Sequence, residues 1–282
     1  MTLASAARPI GWNAVSMKSD ERPLMAFRRK CLPPLILLSA FAIAFTPLAR
    51  ARPALDSPRR FGVTGMPEPH SGSLLVDYYE SYLKDQDIEV FRRNVSARYN
   101  EGTLARLVDS PDVQARRAAL LALGLFGSYS MNSTVAKALR DPDPTARRIA
   151  DLALWSIWFR ADSAENNAML EQVRDCIGRK RLNEAITLAT RLIERSPQFA
   201  EAYNQRAIAE FYLGRFKESA EDCEKVVERN PFHIGALSGL ANCQIQLEKR
   251  ESALETLRRA AKLQPYNVDI RKWIVTIEAN DR

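Results

Sequence analysis

The chain has 282 residues, 46% of them apolar and 27% charged, with 11 glycines, 15 prolines and four cysteines. That composition supports a packed core and excludes collagen-like, low-complexity and disulfide-dense chains. The formal charge of +7 is local: ten of the 41 basic residues but three of the 34 acids fall in residues 1–60, leaving 31 of each for 61–282. A phosphate-tracking surface needs a standing excess of cations, so nucleic acid is not an expected partner of the body.

In chain order, the first feature is MAFRRKCLPPLILLSAFAIAFTPLARA, residues 25–51. Arg28, Arg29 and Lys30 form a positive start, Leu35 to Phe45 an unbroken apolar and small run, and Ala49-Arg50-Ala51 an A-x-A processing pattern. That order is the signature of a secretory signal peptide. The rival is a retained inner-membrane anchor, but the apolar run is shorter than the ~20 residues a spanning helix needs. The expectation is therefore an exported, periplasmic or secreted protein, with membrane contact only if the segment is retained. Residues 1–51 read as extension and signal, with Met25 the more natural start than Met1, and the Pro-, Gly- and Arg-rich residues 52–72 as a linker.

Residues 73–160 read as helical. Leu74 to Asn100 suggests one or two helices with Tyr78, Tyr82, Ile88 and Phe91 inward, an N-terminal cap or degenerate repeat. Two segments then match at a 31-residue step: LVDSPDVQARRAALLALGLFG from Leu107 and ALRDPDPTARRIADLALWSIW from Ala138. In both, a proline ends one helix and an aspartate, Asp112 or Asp143, can cap the next. Ala118, Leu121, Ala122 and Ile149, Leu152, Ala153 form the expected buried stripes. The D-x-D-P-x-x-R-R-x-A pattern resembles short bacterial HEAT repeats, including the kind found in phycobilisome-lyase-like proteins.

Further on, Pro197, Pro231 and Pro265 recur 34 residues apart. Each stops a helix, and 34 is the period of a helix–turn–helix solenoid unit. Small residues Ala185, Ser219 and Ala253 keep the same phase where two helices must approach closely, and Leu192, Val226 and Ala260 share another inward slot. With Tyr203, Ala207 and the LGRF turn at Leu213 to Phe216, residues 166–267 resemble three tetratricopeptide repeat (TPR) units. Two departures stand out: Lys180 and Glu248 occupy the place of the turn glycine Gly214. Residues 268–282 read as a capping helix, with Ile270, Trp273, Ile274 and Ile277 on one face and Arg271, Lys272, Thr276 and Glu278 on the other. The expected fold is all-α, an α-solenoid of stacked antiparallel helix pairs: HEAT-like repeats, three TPR units and a cap. No sustained period-two alternation predicts a strand.

No catalytic constellation is legible: there is no phosphate-cradling glycine loop, zinc helix or nucleophile elbow. Asp109 with Asp112 and Asp141 with Asp143 read as capping groups before acid–base pairs, and no metal or cofactor is expected. Cys176, Cys223 and Cys243 read as apolar filler, with a Cys223–Cys243 bridge as the minority alternative. Trp155, Trp158 and Phe159 read as a seam joining the two arrays, or else as an exposed docking patch.

The resemblance to TPR proteins implies a concave groove lined by the first helix of each unit. Carried over by position, its protein-binding residues are Asn204, Ile208, Phe211, Tyr212, Ser238, Asn242, Ile245 and Gln246, with Asn167, Leu170, Arg174, Ile177 and Glu201 beside them. Amides and aromatics in one groove suit an extended peptide or a partner helix. The positions of the chaperone-tail carboxylate clamp hold Leu170, Arg174, Gln205, Gly235 and Gly239, so that clamp is absent. The expected role is a non-catalytic scaffold or adaptor of the bacterial envelope. The rivals are a lyase-like or accessory enzyme subunit built on the HEAT part, and a membrane-anchored assembly factor.

Overall fold

A computed structural model describes residues 73–279. The signal or anchor segment and the linker expected before residue 73 lie outside these. The described residues form thirteen α-helices and two short 3-10 turns, with no strand among them. They make an α-solenoid of helix pairs, as the sequence predicts.

The N-terminal pair is α1 (Leu74–Asp85) and α2 (Ile88–Ser96). α1 ends on Gln86 in the left-handed conformation, and Asp87 opens α2 by accepting from the amides of Glu89 and Val90. Phe91 is buried as expected, but Tyr78, Tyr82 and Ile88 are only partly so. The deep contacts of α1 are Leu75 and Tyr79, one position round the helix from the expected face.

The HEAT-like segment follows with α3 (Glu101–Leu107), α4 (Val113–Phe126), α5 (Asn132–Lys137) and α6 (Pro144–Phe159). Asp112 caps α4 through Gln114 N and Asp143 caps α6 through Ala146 N, which confirms the capping reading for these two of the four aspartates. α4 and α6 lie against each other closely. A Cβ on Gly124 would come within 3.0 Å of Ala153, so the glycine sets that approach. The stripe on α6 is rotated from the expected one: Leu152 is 40% exposed while Ala150, Leu154, Ile157 and Trp158 are buried. Trp158 is drawn inward because its indole nitrogen has a buried acceptor, Asn132 Oδ1, at 2.8 Å.

Three helix pairs continue the array: α7 (Ala164–Gly178) with α8 (Leu182–Arg195), α9 (Ala200–Tyr212) with α10 (Phe216–Arg229), and α11 (Ile234–Gln246) with α12 (Arg250–Leu263). Pro197, Pro231 and Pro265 each stand in the turn after the second helix of a pair. Ala185, Ser219 and Ala253 are fully buried at the pair contacts, as are Leu192, Val226 and Ala260. Ser219 is satisfied there by donating to the Ala207 carbonyl at 2.8 Å. The turn inside each pair closes identically. Lys180, Gly214 and Glu248 all have positive φ, and the next amide returns to a carbonyl five residues back at 2.8–2.9 Å. The non-glycine residues therefore adopt the glycine conformation; the turn is set by packing rather than by local preference. α13 (Val268–Ala279) buries Ile270 and leans Trp273, Ile274 and Ile277 on the core. Cys176, Cys223 and Cys243 are free and buried. Burial pushes the Cys243 thiol up to about 11 and Cys223 well above its ordinary value.

Candidate protein-binding face and its junction with the HEAT segment

The residues expected to line the groove lie on α9 and α11, first helices of neighbouring pairs that touch each other. Asn204, Ser238 and Asn242 are buried, Ile208, Phe211, Ile245 and Gln246 are half-buried, and Tyr212 is 37% exposed. Asn204 and Ser238 occupy the same place in successive units. Asn204 Oδ1, Ser238 Oγ and Asn242 Nδ2 have no hydrogen-bond partner within the protein, a state that costs about 1–3 kcal/mol per group. In the first unit Leu170 is fully buried, and Arg174 bonds Glu171 and covers the ring of Phe159 at 4.1 Å.

Below this row is a buried polar cluster that residue patterns did not reveal. Glu201, 1% exposed, accepts from Asn204 Nδ2 and Gln205 Nε2 at 2.7 Å each. His233 lies 2.9 Å from its other oxygen. Because His233 Nδ1 accepts from the Ala236 amide, capping α11, the ring hydrogen sits on Nε2 and points at Glu201. The carboxylate thus has three donors, which is what a buried charge requires. The signal the sequence offers for His233 is its place just before a first helix.

The same histidine anchors the HEAT segment. Trp158 stacks on it and Trp155 meets it edge-on at 5.2 Å. Gly235 makes room, since a Cβ there would stand 2.6 Å from Trp155. A second chain runs from Trp158 through Asn132 to Asn230 Oδ1 at 2.9 Å. The tryptophan cluster is therefore a seam between arrays, and the exposed-patch alternative does not apply to Trp158.

The aspartates paired in the sequence also act between repeats. Arg116 grips Asp141 through Nε and Nη2 at 2.7 and 3.0 Å, and Arg117 grips Asp143 at 2.8 and 2.6 Å. This fork holds the Asp143 carboxyl down at about 2. Among the described residues no cluster of three or more His, Cys, Asp or Glu could hold a metal ion, and no helix is long and apolar enough to cross a membrane.

Comparison with known proteins finds both kinds of repeat. A HEAT-repeat profile matches residues 100–189, and a tetratricopeptide-repeat profile matches 170–234 and 204–268. The chain thus carries TPR units preceded by a HEAT-repeat segment. It is 34% identical over 84 residues to a TPR repeat-containing protein of Rhizobium etli, covering 30% of this chain and 41% of that one. It is 35% identical over 95 residues to sperm-associated antigen 1 of Mus musculus, covering 34% and 10%. Against Hsp70-Hsp90 organizing protein 1 of Glycine max it is 29% identical over 100 residues, covering 36% and 18%. The chain spans less than half the length of each of these relatives. Among solved structures, the first TPR of Spaghetti (RPAP3) bound to an HSP90 peptide aligns at TM-score 0.41 and 24% identity, covering 42% of this chain and 94% of that one. The TPR2AB domain of yeast Sti1 in complex with an HSP90 peptide aligns at 0.37 and 19%, covering 72% and 82%.

Proposed function

We propose that the protein is a non-catalytic adaptor of the bacterial cell envelope that binds an extended peptide or a partner helix on the first-helix face of its TPR units. The observation that carries this reading is the row of first-helix residues on the touching helices α9 and α11, in which Ile208 and Ile245 are half-buried beside Asn204, Ser238 and Asn242 and Tyr212 is exposed. A docked segment gains apolar contact from the isoleucines and from the exposed ring of Tyr212. Helix-pair arrays suit such work because stacking gives a surface larger than any single unit could support.

One relative's name speaks of organizing Hsp70 and Hsp90. Here Leu170, Gly235 and Gly239 stand at clamp positions, so an acidic chaperone tail is not the proposed ligand. The envelope location rests on the three-zone segment at 25–51.

The test is affinity capture from envelope extract with wild type and with Ile208→Glu/Ile245→Glu and Asn204→Ala/Asn242→Ala variants of unchanged helicity. The expected result is loss of the same partner in both variants. Equal retention in both would refute the face as the binding surface. Amino-terminal sequencing of the native protein tests export: a start after Ala51 supports cleavage, and a start at Met1 or Met25 overturns it.

A further inference from the structure

The two Arg-Arg pairs of the HEAT segment occupy matching places but end differently. Arg116 donates through Nη1 to the carbonyls of Ser110 and Pro111, and Arg147 does the same to Asp141 and Pro142 at 2.7 and 2.9 Å. The two guanidiniums are thus held in the same way. In the first pair the remaining edges grip Asp141 and Asp143 of the next repeat. In the second, no carboxylate of the described residues pairs with Arg148, which is exposed, and none with the Nε–Nη2 edge of Arg147. The guanidinium of Arg147 lies instead against Tyr266, 4.1 Å from the ring centre.

Both arginines open onto a surface depression of about 210 Å³ that Leu139, Asp151, Gln264 and Tyr266 also line. Tyr266 is 51% exposed, so its ring forms a wall rather than a plug. Asp151 is engaged by Gln264 Nε2 at 3.1 Å, and burial pushes its carboxyl up from the ordinary value. The rim is net positive and shaped by the repeat to receive carboxylates.

We propose that this open last rung docks an acidic segment of a partner protein. Two carboxylates spaced as Asp-x-Asp are gripped by Arg147 and Arg148 as Asp141 and Asp143 are gripped by Arg116 and Arg117. The molecule itself supplies the precedent, since its own Asp141-Pro142-Asp143 turn fills the preceding rung. Guanidinium forks favour planar carboxylates in this paired arrangement. The surface is separate from the TPR face and does not depend on what binds there.

The full chain is titrated with acetyl-Asp-Pro-Asp-Pro-amide, its Asn-Pro-Asn-Pro counterpart, malonate and inorganic phosphate, with arginine side-chain NMR signals as the readout. The aspartate peptide is expected to bind and to weaken with salt. It should lose at least tenfold in affinity in Arg148→Gln and none in Arg98→Gln, an exposed arginine elsewhere. Arg148 makes no salt bridge or hydrogen bond among the described residues, so helicity and thermal midpoint should be unchanged. Equal binding by wild type and Arg148→Gln, equal binding of the asparagine peptide, malonate or phosphate binding as tightly as the peptide, or no binding at millimolar peptide would each overturn the proposal.

Discussion

Trp158 and His233 lie face to face, ring centroids 4.1 Å apart and planes inclined by 19°. One belongs to the last HEAT helix and the other to the corner that opens the third TPR unit, so this stack fixes where one array meets the other. Each ring is also hydrogen-bonded at its edge, Trp158 to Asn132 and His233 to Glu201. Burying an aromatic of that size is worth on the order of 4 kcal/mol as an upper figure.

The clearance beside that stack can be tested by one methyl group. Gly235→Ala would push against Trp155 Cη2, 2.6 Å from the new carbon. Overpacking of this kind costs about 1–3 kcal/mol, roughly 2–10 °C in Tm for a domain of this size. Trp155→Ala removes the obstacle, so the double variant should be no less stable than Trp155→Ala alone. Calorimetry on the three variants checks that non-additivity.

The left-handed turns offer a gain. Lys180 and Glu248 hold φ of 59° where Gly214 holds 76°. A side chain in that region costs about 1–2 kcal/mol, less the ~0.5–1 kcal/mol of extra chain entropy a glycine loses on folding. Lys180→Gly and Glu248→Gly should each raise stability by about 0.5–1 kcal/mol in urea denaturation. Gly214→Ala should lower it by a similar amount, and through backbone strain alone, because nothing lies within 4 Å of the added carbon.

Asp143 should contribute to acid unfolding. Its carboxyl sits at about 2 in the folded chain, held down by the Arg117 fork and then by the Ala146 amide, against an unfolded value near ~3.9. A depressed carboxylate stabilises above the unfolded value and loses that effect as pH falls through the folded one. The wild type should therefore lose roughly 2 kcal/mol between about pH 4 and 2 that Asp143→Asn does not lose. The comparison is of denaturation midpoints from pH 6 down to 2.

Glu210 carries the opposite sign. Burial, then the neighbouring Asp222 charge, raises its carboxyl to about 7, and Oε2 has no hydrogen-bond partner in the protein. The neutral form is the favoured one in the fold. Its contribution is complete below about pH 4.5 and disappears as pH rises through about 7. Glu210→Gln should stabilise the protein at pH 8, and the difference from wild type should shrink to nothing near pH 4.5. A constant difference across that range would reject the assignment.

Much of this architecture is legible without coordinates because it rests on periodic features. Three prolines in phase with three small residues specify helix pairs, and the tripled interval specifies stacking. The aspartate caps were readable because capping depends on neighbours two or three residues away. What stayed hidden depends on contacts across the molecule. The side of α1 that turns inward, Tyr79 rather than Tyr78, is chosen by α4 and α2. The exposure of Leu152 follows from the pull of Asn132 on Trp158. The Glu201–His233 pair joins the start of α9 to the cap of α11, 32 residues on, and neither residue type in isolation signals it. The Arg–Asp grips were visible as matched letters but not as bonds, since repeats display sameness and leave the partner unstated.

The two HEAT-like modules differ at the place where a following module would seat. Gly124, where α4 meets Ala153, aligns with Trp155, and Gly127 aligns with Trp158. Where Gly124 lets Ala153 of the second module approach, the second module itself carries the indole of Trp155. A third 31-residue module could not seat on α6 as α6 seats on α4, because an indole fills the place that the glycine leaves clear.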